Sequence, residues 1–209
     1  MIKIENVVLP STEQWKSIIM GMRNPLNSWN KSDSEFTFDV FEIGENDYNL
    51  MKRLRNAGVD HRKFMRMITV YMDIECPLYW WKEFDTYKIS TVTNSCSTMH
   101  KIHSKEFTLD NFSHEHLSDF NRNVVLDGVI IKQLNKVREC YLETKDKEYW
   151  WQMIQLLPSS YNQKRTVMLN YEVLANMYKS RKNHKLDCWR DFCKFIETLP
   201  YAKELICNE

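Results

Sequence analysis

Glycine and proline are scarce in this sequence, with four glycines and five prolines among 209 residues. So few turn-forming residues disfavour a fold made of many short strands joined by tight turns. The same scarcity leaves little room for glycine-rich phosphate loops, and neither a GxGxxG nor a Walker-type motif is present. We therefore expect helices to predominate.

An excess of charge of one sign is also lacking, because 29 Lys and Arg face 28 Asp and Glu. Such a chain has no global field that attracts nucleic acid or an anionic membrane, and no basic stripe indicates a nucleic-acid module. No segment approaches the roughly 18 uncharged residues that cross a bilayer, and the N-terminus lacks the pattern of a secretion signal. The sequence indicates a cytoplasmic protein that binds neither nucleic acid nor membrane.

Paired cysteines are absent as well. The six cysteines form no CxxC motif, and without a secretion signal they are expected to be reduced thiols. Four histidines lie near Cys96 in the sequence, but no tight thiol pair or HxxxH spacing accompanies them. We therefore expect no metal site.

Local patterns predict an α+β fold with a small antiparallel or mixed sheet and a helical majority, in a single domain over residues 1–209. Apolar alternation and β-branched residues predict strands at residues 2–10, 36–44 and 61–77. Helical spacing and capping residues predict helices at residues 11–22, 46–57, 78–88, 110–145, 148–158, 164–182 and 186–200.

One predicted helix carries a candidate ligand-binding face. Asn170, Leu174, Met177 and Arg181 are spaced four, three and four residues apart, which places them on one side of a helix. An amide and a guanidinium flanking apolar residues suit a flat heterocycle that bears an anionic or carbonyl group. The alternative is that Arg181 only interacts with the helix C-terminus.

A second candidate is Cys96, which lies in a polar turn with Lys88 and Lys101 nearby in sequence. A neighbouring cation favours the thiolate form of a cysteine, and a thiolate can act as a nucleophile. Such a nucleophile also needs a base and an orienting partner, and the sequence identifies neither. An inert thiol is therefore the alternative.

Several segments, taken in chain order, resemble one known family. They are a histidine after a helix and a glycine ("GVDHRKF"), a strand ending in proline, a polar turn, "LLP" and "TVMLNYEVLANMYKSR". These segments are similar to those of the flavin-dependent thymidylate synthases over most of the chain. The resemblance implies a homotetramer with sites shared between chains, in which FAD and NADPH support transfer of a one-carbon unit from methylenetetrahydrofolate to C5 of dUMP or a related pyrimidine.

The C-terminal part of the resemblance aligns without gaps. It implies that Asn170 and Asn176 contact the flavin, and that Arg181 contacts the pyrimidine and polarises its carbonyl group during catalysis. His61 matches a histidine that lies near the flavin in the family.

The signature motif of the family is altered. Its Arg-His-Arg falls on Thr86, Tyr87 and Lys88, so that only Lys88 keeps a charge for the flavin. Without a gap the motif's glutamate, serine and final arginine fall on Asn94, Cys96 and Thr98. A one-residue gap instead places Asn94 on the motif's asparagine and Ser97 on its serine.

Two further departures concern the nucleotide. Glu83 falls where the family has a glutamine that reads the base, and Ile154 replaces an arginine that binds the nucleotide phosphate. Each lost charge-assisted hydrogen bond to phosphate removes about 1.5–3 kcal/mol of binding free energy. The resemblance implies catalytic roles for Arg181 with Cys96 or Ser97, flavin contacts for His61, Lys88, Asn94, Asn170 and Asn176, and substrate contacts for Glu83, Thr98 and Arg181.

Two functions follow as expectations. The first is a flavin-dependent methyltransferase of the thymidylate synthase type. The alternative is a non-catalytic homologue that keeps the fold as a nucleotide-binding, flavin-binding or regulatory protein.

Overall fold

A computed structural model describes residues 2–37, 40–87 and 89–208. The first half of the chain contains most of the strands. Its elements are β1 (Lys3–Val8), α1 (Thr12–Arg23), β2 (Glu35–Phe36), β3 (Phe41–Glu42), α2 (Glu45–Asn56), β4 (Thr69–Pro77), α3 (Leu78–Phe84) and β5 (Val92–Ser95).

The second half is mainly helical. A π-helical segment, Asn121–Ile131, runs into the next α-helix, and another π-helical segment, Lys203–Cys207, lies near the end of the chain. The remaining elements are α4 (Lys132–Thr144), α5 (Lys147–Leu156), β6 (Asn162–Asn170), α6 (Tyr171–Arg181) and α7 (Asp187–Glu197).

Four strands form one sheet in the order β1-β4-β6-β5, and β2 pairs with β3 in a second sheet. The predicted α+β class, with small sheets and a helical majority, is confirmed. The described chain divides into two compact units. The first unit is built mainly from residues 74–86 and 94–165, and the second from residues 4–73, 87–93 and 166–208.

The prediction of one helix over residues 164–182 was wrong in its first part. Residues up to Asn170 form β6, and α6 begins only at Tyr171. Val167 and Leu169 are buried while Thr166 is exposed, which is the two-residue period of a strand. The apolar residues of β6 run directly into those of α6, so the sequence alone gives no visible break between the two periods.

Two other predicted elements have different bounds. The strand predicted at 36–44 is a short antiparallel hairpin in which Glu35 pairs with Glu42 and Phe36 with Phe41, although residues 38 and 39 lie outside the described chain. The strand predicted at 61–77 starts only at Thr69, after a 3-10 turn at Arg62–Arg66. The helix predicted at 110–145 starts only at Asn121.

Each unit has its own apolar core. In the first unit α4 packs on α5 and on the π-helical segment, around buried residues that include Ile102, Phe107, Phe112, Leu134 and Met153. In the second unit α6 packs on α7 and on Lys203–Cys207. The inner face of α7 buries Cys188, Trp189, Phe192, Cys193 and Ile196, which recur at helical spacing.

A single buried carboxylate, that of Asp47, joins three segments of the second unit. Its Oδ1 accepts a hydrogen bond from Arg23 Nε at 2.5 Å. Its Oδ2 accepts from the hydroxyls of Ser32 and Ser34 at 2.7 and 2.6 Å, and from the amides of Asp33 and Ser34 at 3.2 and 3.1 Å. The end of α1, the loop after it and the start of α2 are thereby held together.

Gly44 makes the close approach of this loop possible. A Cβ atom at Gly44 would lie 2.2 Å from Asp33 Oδ1, so no other residue fits without a shift of the loop. The Asp33 carboxylate accepts from the amides of Asn46 and Asp47 at 2.9 and 3.1 Å, which satisfies two free donors in the first turn of α2.

We predict that Asp47→Asn lowers the free energy of unfolding by about 3 kcal/mol, because it leaves the buried guanidinium of Arg23 without its counter-charge. Urea unfolding at pH 7 measures the loss. Asp60→Asn, at an exposed carboxylate of the same unit, is the matched control and should change stability by less than about 0.5 kcal/mol.

The loss of stability in Asp47→Asn should depend on pH. Burial raises the pKa of Asp47, but hydrogen bonds from Ser34, Ser32 and Arg23 outweigh burial and hold this pKa below its usual range. The stability that a depressed pKa contributes is complete above the unfolded-state pKa, about 4, and is lost as the pH falls through the folded-state pKa. The difference in the free energy of unfolding between the natural chain and Asp47→Asn should therefore become smaller below about pH 4. A difference that does not change with pH would contradict this account.

Candidate functional site

Cys96, Ser97 and Thr98 lie directly after β5, in the first unit. The Cys96 amide donates to Lys164 O at 2.9 Å, and Cys96 O accepts from Gln163 Nε2 at 2.7 Å. These two bonds attach the segment to the first residues of β6. They bring Cys96 to Lys164, which is remote in sequence.

The Gln163 side chain is itself fixed by a polar network. Its Oε1 accepts from Arg165 Nε at 3.0 Å, and its backbone carbonyl accepts from Trp81 Nε1 at 2.9 Å. The Arg165 guanidinium lies 4.2 Å from the Trp81 ring centroid and pairs with Asp85 at 2.8 Å. This partly buried network holds the Cys96 segment in one position.

A cavity of about 630 Å³ opens beside this segment, entirely within the first unit. Cys96, Ser97 and Thr98 line it together with Ile102, Phe107 and Tyr161. Burial raises the pKa of Tyr161, with smaller contributions from Cys96 and Glu75. The cavity thus has an apolar floor and a polar rim.

The rim of this cavity is basic. Lys101, Lys105 and Lys164 line it against two carboxylates, Glu75 and Glu106. Three ammonium groups beside hydroxyl groups suit the phosphate of a small ligand. Neither Lys105 nor Lys164 was among the candidates from the sequence, because their convergence depends on the pairing of Cys96 with β6.

The two alternative serine positions lie side by side here. Cys96 is exposed, whereas the Ser97 Oγ accepts from the amides of Met99 and His100 at 3.2 and 2.9 Å. The hydroxyl of Ser97 therefore stabilises a turn. Asn94 is exposed on β5 and Glu83 lies in α3, and neither is among the described residues that line the cavity.

Arg181 is held in place in the second unit. Its Nε donates to the Tyr87 hydroxyl at 3.0 Å, and its guanidinium lies 4.8 Å from the Trp189 ring centroid. Trp189 was not among the residues predicted from the sequence to lie beside Arg181. A guanidinium fixed on one side by a hydroxyl and an indole ring is oriented before any ligand arrives.

The proposed ligand face of α6 is not formed. Asn170 is the N-cap of α6, and its Oδ1 accepts from the Val173 amide at 3.0 Å while its Nδ2 donates to Ser90 O at 3.4 Å. Leu174 and Met177 are fully buried in the core. Because Leu174 and Met177 are buried, no apolar strip is exposed between Asn170 and Arg181.

Asn176 lies on the exposed side of α6 beside a cavity of about 340 Å³ in the second unit. Arg55, Arg62 and Lys179 also line this cavity. Arg62 Nε is buried and donates no hydrogen bond to a described atom, although Glu172 Oε1 lies 3.5 Å away. Burial, and then the charge of Arg62, lowers the pKa of Arg55. Crowded cations with an unsatisfied donor fit an anionic group such as the diphosphate of a flavin dinucleotide.

The remaining sequence candidates are dispersed. His61 is exposed and begins the turn before β4, with its amide donating to Gly58 O at 3.1 Å. Thr86 follows α3, and its hydroxyl donates to Glu83 O at 2.7 Å. Ile154 lies in α5. Lys88 lies outside the described residues.

Within residues 2–37, 40–87 and 89–208, no group of three or more His, Cys, Asp or Glu side chains is arranged to hold a metal ion. In the same ranges, no helix is both long and apolar enough to cross a membrane.

Comparison with known proteins gives a match in structure only. No protein-family model matches the chain, and no curated protein matches it in sequence. Two crystal structures of thymidylate synthase X (ThyX) from Helicobacter pylori, each with FAD and dUMP, share its fold, with TM-scores of 0.67 and 0.65. Each aligns over 98% of this chain and over 96% or 97% of its own chain, at 16% sequence identity. A likeness at this identity establishes the fold.

The cavity of the first unit leads to a prediction about Cys96. A dianionic disulfide reagent should modify this exposed thiol first, because three lysines and only two carboxylates line the cavity beside it, and the excess positive charge attracts the reagent. Burial raises the pKa of Cys193 to about 12 and so keeps that thiol unreactive. Cys96→Ser should abolish the fast phase of modification, and Cys140→Ser should retain it. A fast phase that survives Cys96→Ser would contradict the arrangement described here.

Proposed function

We propose that this protein is a flavin-dependent enzyme that transfers a one-carbon unit from methylenetetrahydrofolate to C5 of dUMP or a related pyrimidine nucleotide. The observation that carries the proposal is the agreement in fold, over nearly the whole chain, with two crystal structures of one enzyme, each of which contains FAD and dUMP. The two basic cavities support it, because each offers cations where a phosphorylated ligand requires them.

The nucleotide belongs in the cavity of the first unit under this proposal. Lys101, Lys105 and Lys164 take the part of the arginine that Ile154 replaces, and bind the nucleotide phosphate. Thr98 and Ser97 add hydroxyl groups beside the phosphate. Lysine binds phosphate as a point charge and without the paired geometry of arginine, so the affinity depends on charge more than on orientation.

The flavin diphosphate belongs in the cavity beside Asn176. Arg55, Arg62 and Lys179 balance its charge, and the phosphate supplies the acceptor that Arg62 Nε lacks. Bound flavin supplies the electron pair that reduces the transferred carbon to a methyl group. NADPH is the source of these electrons, so that dUMP, methylenetetrahydrofolate, NADPH and a proton give dTMP, tetrahydrofolate and NADP⁺.

Arg181 is the catalytic residue in this scheme. Transfer joins the one-carbon unit to C5 and releases the C5 proton to solvent, and negative charge develops on the ring carbonyl oxygen that is conjugated with C5. A guanidinium already oriented by Tyr87 and Trp189 stabilises that charge without reorganisation. Tyr87 and Trp189 act through Arg181 and are positioning residues. The protein itself needs no nucleophile, so Cys96 and Ser97 bind rather than react.

The proposal includes two further points: the protein forms a homotetramer, and residues 1–209 form a single domain. In a tetramer with shared sites, residues of one chain complete the ligand contacts of another.

A non-catalytic binding protein is the second candidate. Two observations favour it. The Tyr87 hydroxyl accepts the hydrogen bond of Arg181 Nε. The oxygen and the nitrogen of the Asn170 side-chain amide are both hydrogen-bonded to backbone groups. Such a protein would bind flavin or nucleotide and would show no turnover.

Turnover of dUMP with methylenetetrahydrofolate, FAD and NADPH, followed by mass spectrometry of the nucleotide product, separates the two candidates.

We predict that Arg181→Ala lowers kcat about 100-fold to 1,000-fold while the circular dichroism spectrum is unchanged. Arg122→Ala, at an exposed guanidinium paired with Asp119, is the control and should retain full activity.

The double variant Lys101→Gln and Lys105→Gln should instead raise KM for dUMP about tenfold with little change in kcat, since it removes binding common to ground and transition states.

Absence of the methylated product with the natural chain would reject the catalytic function. Unchanged kcat in Arg181→Ala would reject the role of that residue.

A further inference from the structure

The largest cavity described in the second unit has no role in the reaction above. It encloses about 680 Å³ and involves the end of α1, the loop that follows and one face of α2. Its lining residues are Arg23, Leu26, Ser28, Lys31, Asn46, Asn49, Leu50 and Arg53. None of them lines either cavity assigned to nucleotide or flavin.

The α2 part of the lining is a continuous helix face. Asn46, Asn49, Leu50 and Arg53 are separated by three, one and three residues, which places them along one side of α2. Two amides and one guanidinium on this face supply hydrogen-bond donors. Leu26 and Leu50 supply apolar surface for the uncharged part of a ligand.

Arg23 has a buried donor that makes no hydrogen bond to any described residue. Its Nε is bonded to Asp47, and its Nη1 donates to Ser28 O and Ser28 Oγ at 3.2 and 3.3 Å. Its Nη2 is buried and has no acceptor among the described residues, although the Arg23 side chain is only 3% exposed. A buried donor without a partner is costly, and an acceptor from a ligand would remove that cost.

The charges around this donor are unbalanced. Asp47 neutralises Arg23, whereas Lys31 and Arg53 form no ion pair with any described residue. None of the described residues that line the cavity is a carboxylate. The lining therefore carries two uncompensated positive charges next to an unsatisfied guanidinium nitrogen, a combination that favours a dianion.

We propose that this cavity binds the phosphate group of a small phosphorylated organic molecule. The phosphate lies between Lys31 and Arg53, and one of its oxygens accepts the hydrogen bond that Arg23 Nη2 cannot make within the protein. Asn46 and Asn49 hydrogen-bond the polar part of the ligand, and Leu26 and Leu50 contact its apolar part. The site goes beyond the proposed reaction and does not depend on it.

Isothermal titration calorimetry with ribose 5-phosphate, inorganic phosphate and ribose, at constant ionic strength, tests the proposal. Both phosphates should bind and ribose should not. The double variant Lys31→Gln and Arg53→Gln should weaken phosphate binding by about tenfold or more, or reduce the number of sites by one. Both side chains are exposed, and the Arg23–Asp47 pair stays intact, so the variant should fold.

The matched control is Lys16→Gln with Lys185→Gln, which removes two exposed positive charges of the same unit outside the cavity. It should bind both phosphates with unchanged affinity. Tighter binding of ribose 5-phosphate than of inorganic phosphate would identify an organic ester as the ligand, and equal binding would identify the free ion. Equal phosphate affinity and site number in the natural chain and the Lys31/Arg53 variant, or no phosphate binding by the folded natural chain, would overturn the proposal.

Discussion

The ion pair between Asp47 and Arg23 is the constraint on which the second unit depends. Burying either charge alone is unfavourable, and the network of Ser32, Ser34 and Asp33 donors makes burial of both possible. The network fixes the loop after α1 against the start of α2, and Gly44 provides the space for that contact. It also fixes the direction of the Arg23 guanidinium, including Nη2, which has no acceptor in the part of the chain that the structure describes.

The same principle shapes the candidate catalytic residue. Arg181 is held by the Tyr87 hydroxyl and the Trp189 indole ring, which fix the direction of its guanidinium. A guanidinium whose direction is fixed before the substrate arrives can stabilise charge on a carbonyl oxygen without reorganisation.

Much of the fold was predictable from local patterns, whereas the assembly of its sites was not. The capping box at Ser11 marks a helix start through short-range hydrogen bonds, and Gly58, with a φ of 109°, follows the end of α2 in a backbone conformation that favours glycine. A sequence displays both signals directly. β6 was predicted as part of a helix because apolar residues on both sides of Asn170 fit one helical pattern. Asn170 and Arg181 were predicted from helical spacing and from the resemblance, but the amide of Asn170 is used as a helix cap. Lys164 and Trp189 approach the sites only through strand pairing and helix packing, which local patterns do not encode.

The most direct test of a flavin-dependent function is the visible absorption spectrum of the purified protein, recorded after incubation with FAD and removal of free flavin by desalting. The account predicts a retained flavin band close to one FAD per chain, held by the cations beside Asn176. A colourless protein that takes up no FAD would contradict it, and the non-catalytic alternative, in a form that binds nucleotide without flavin, would then replace it.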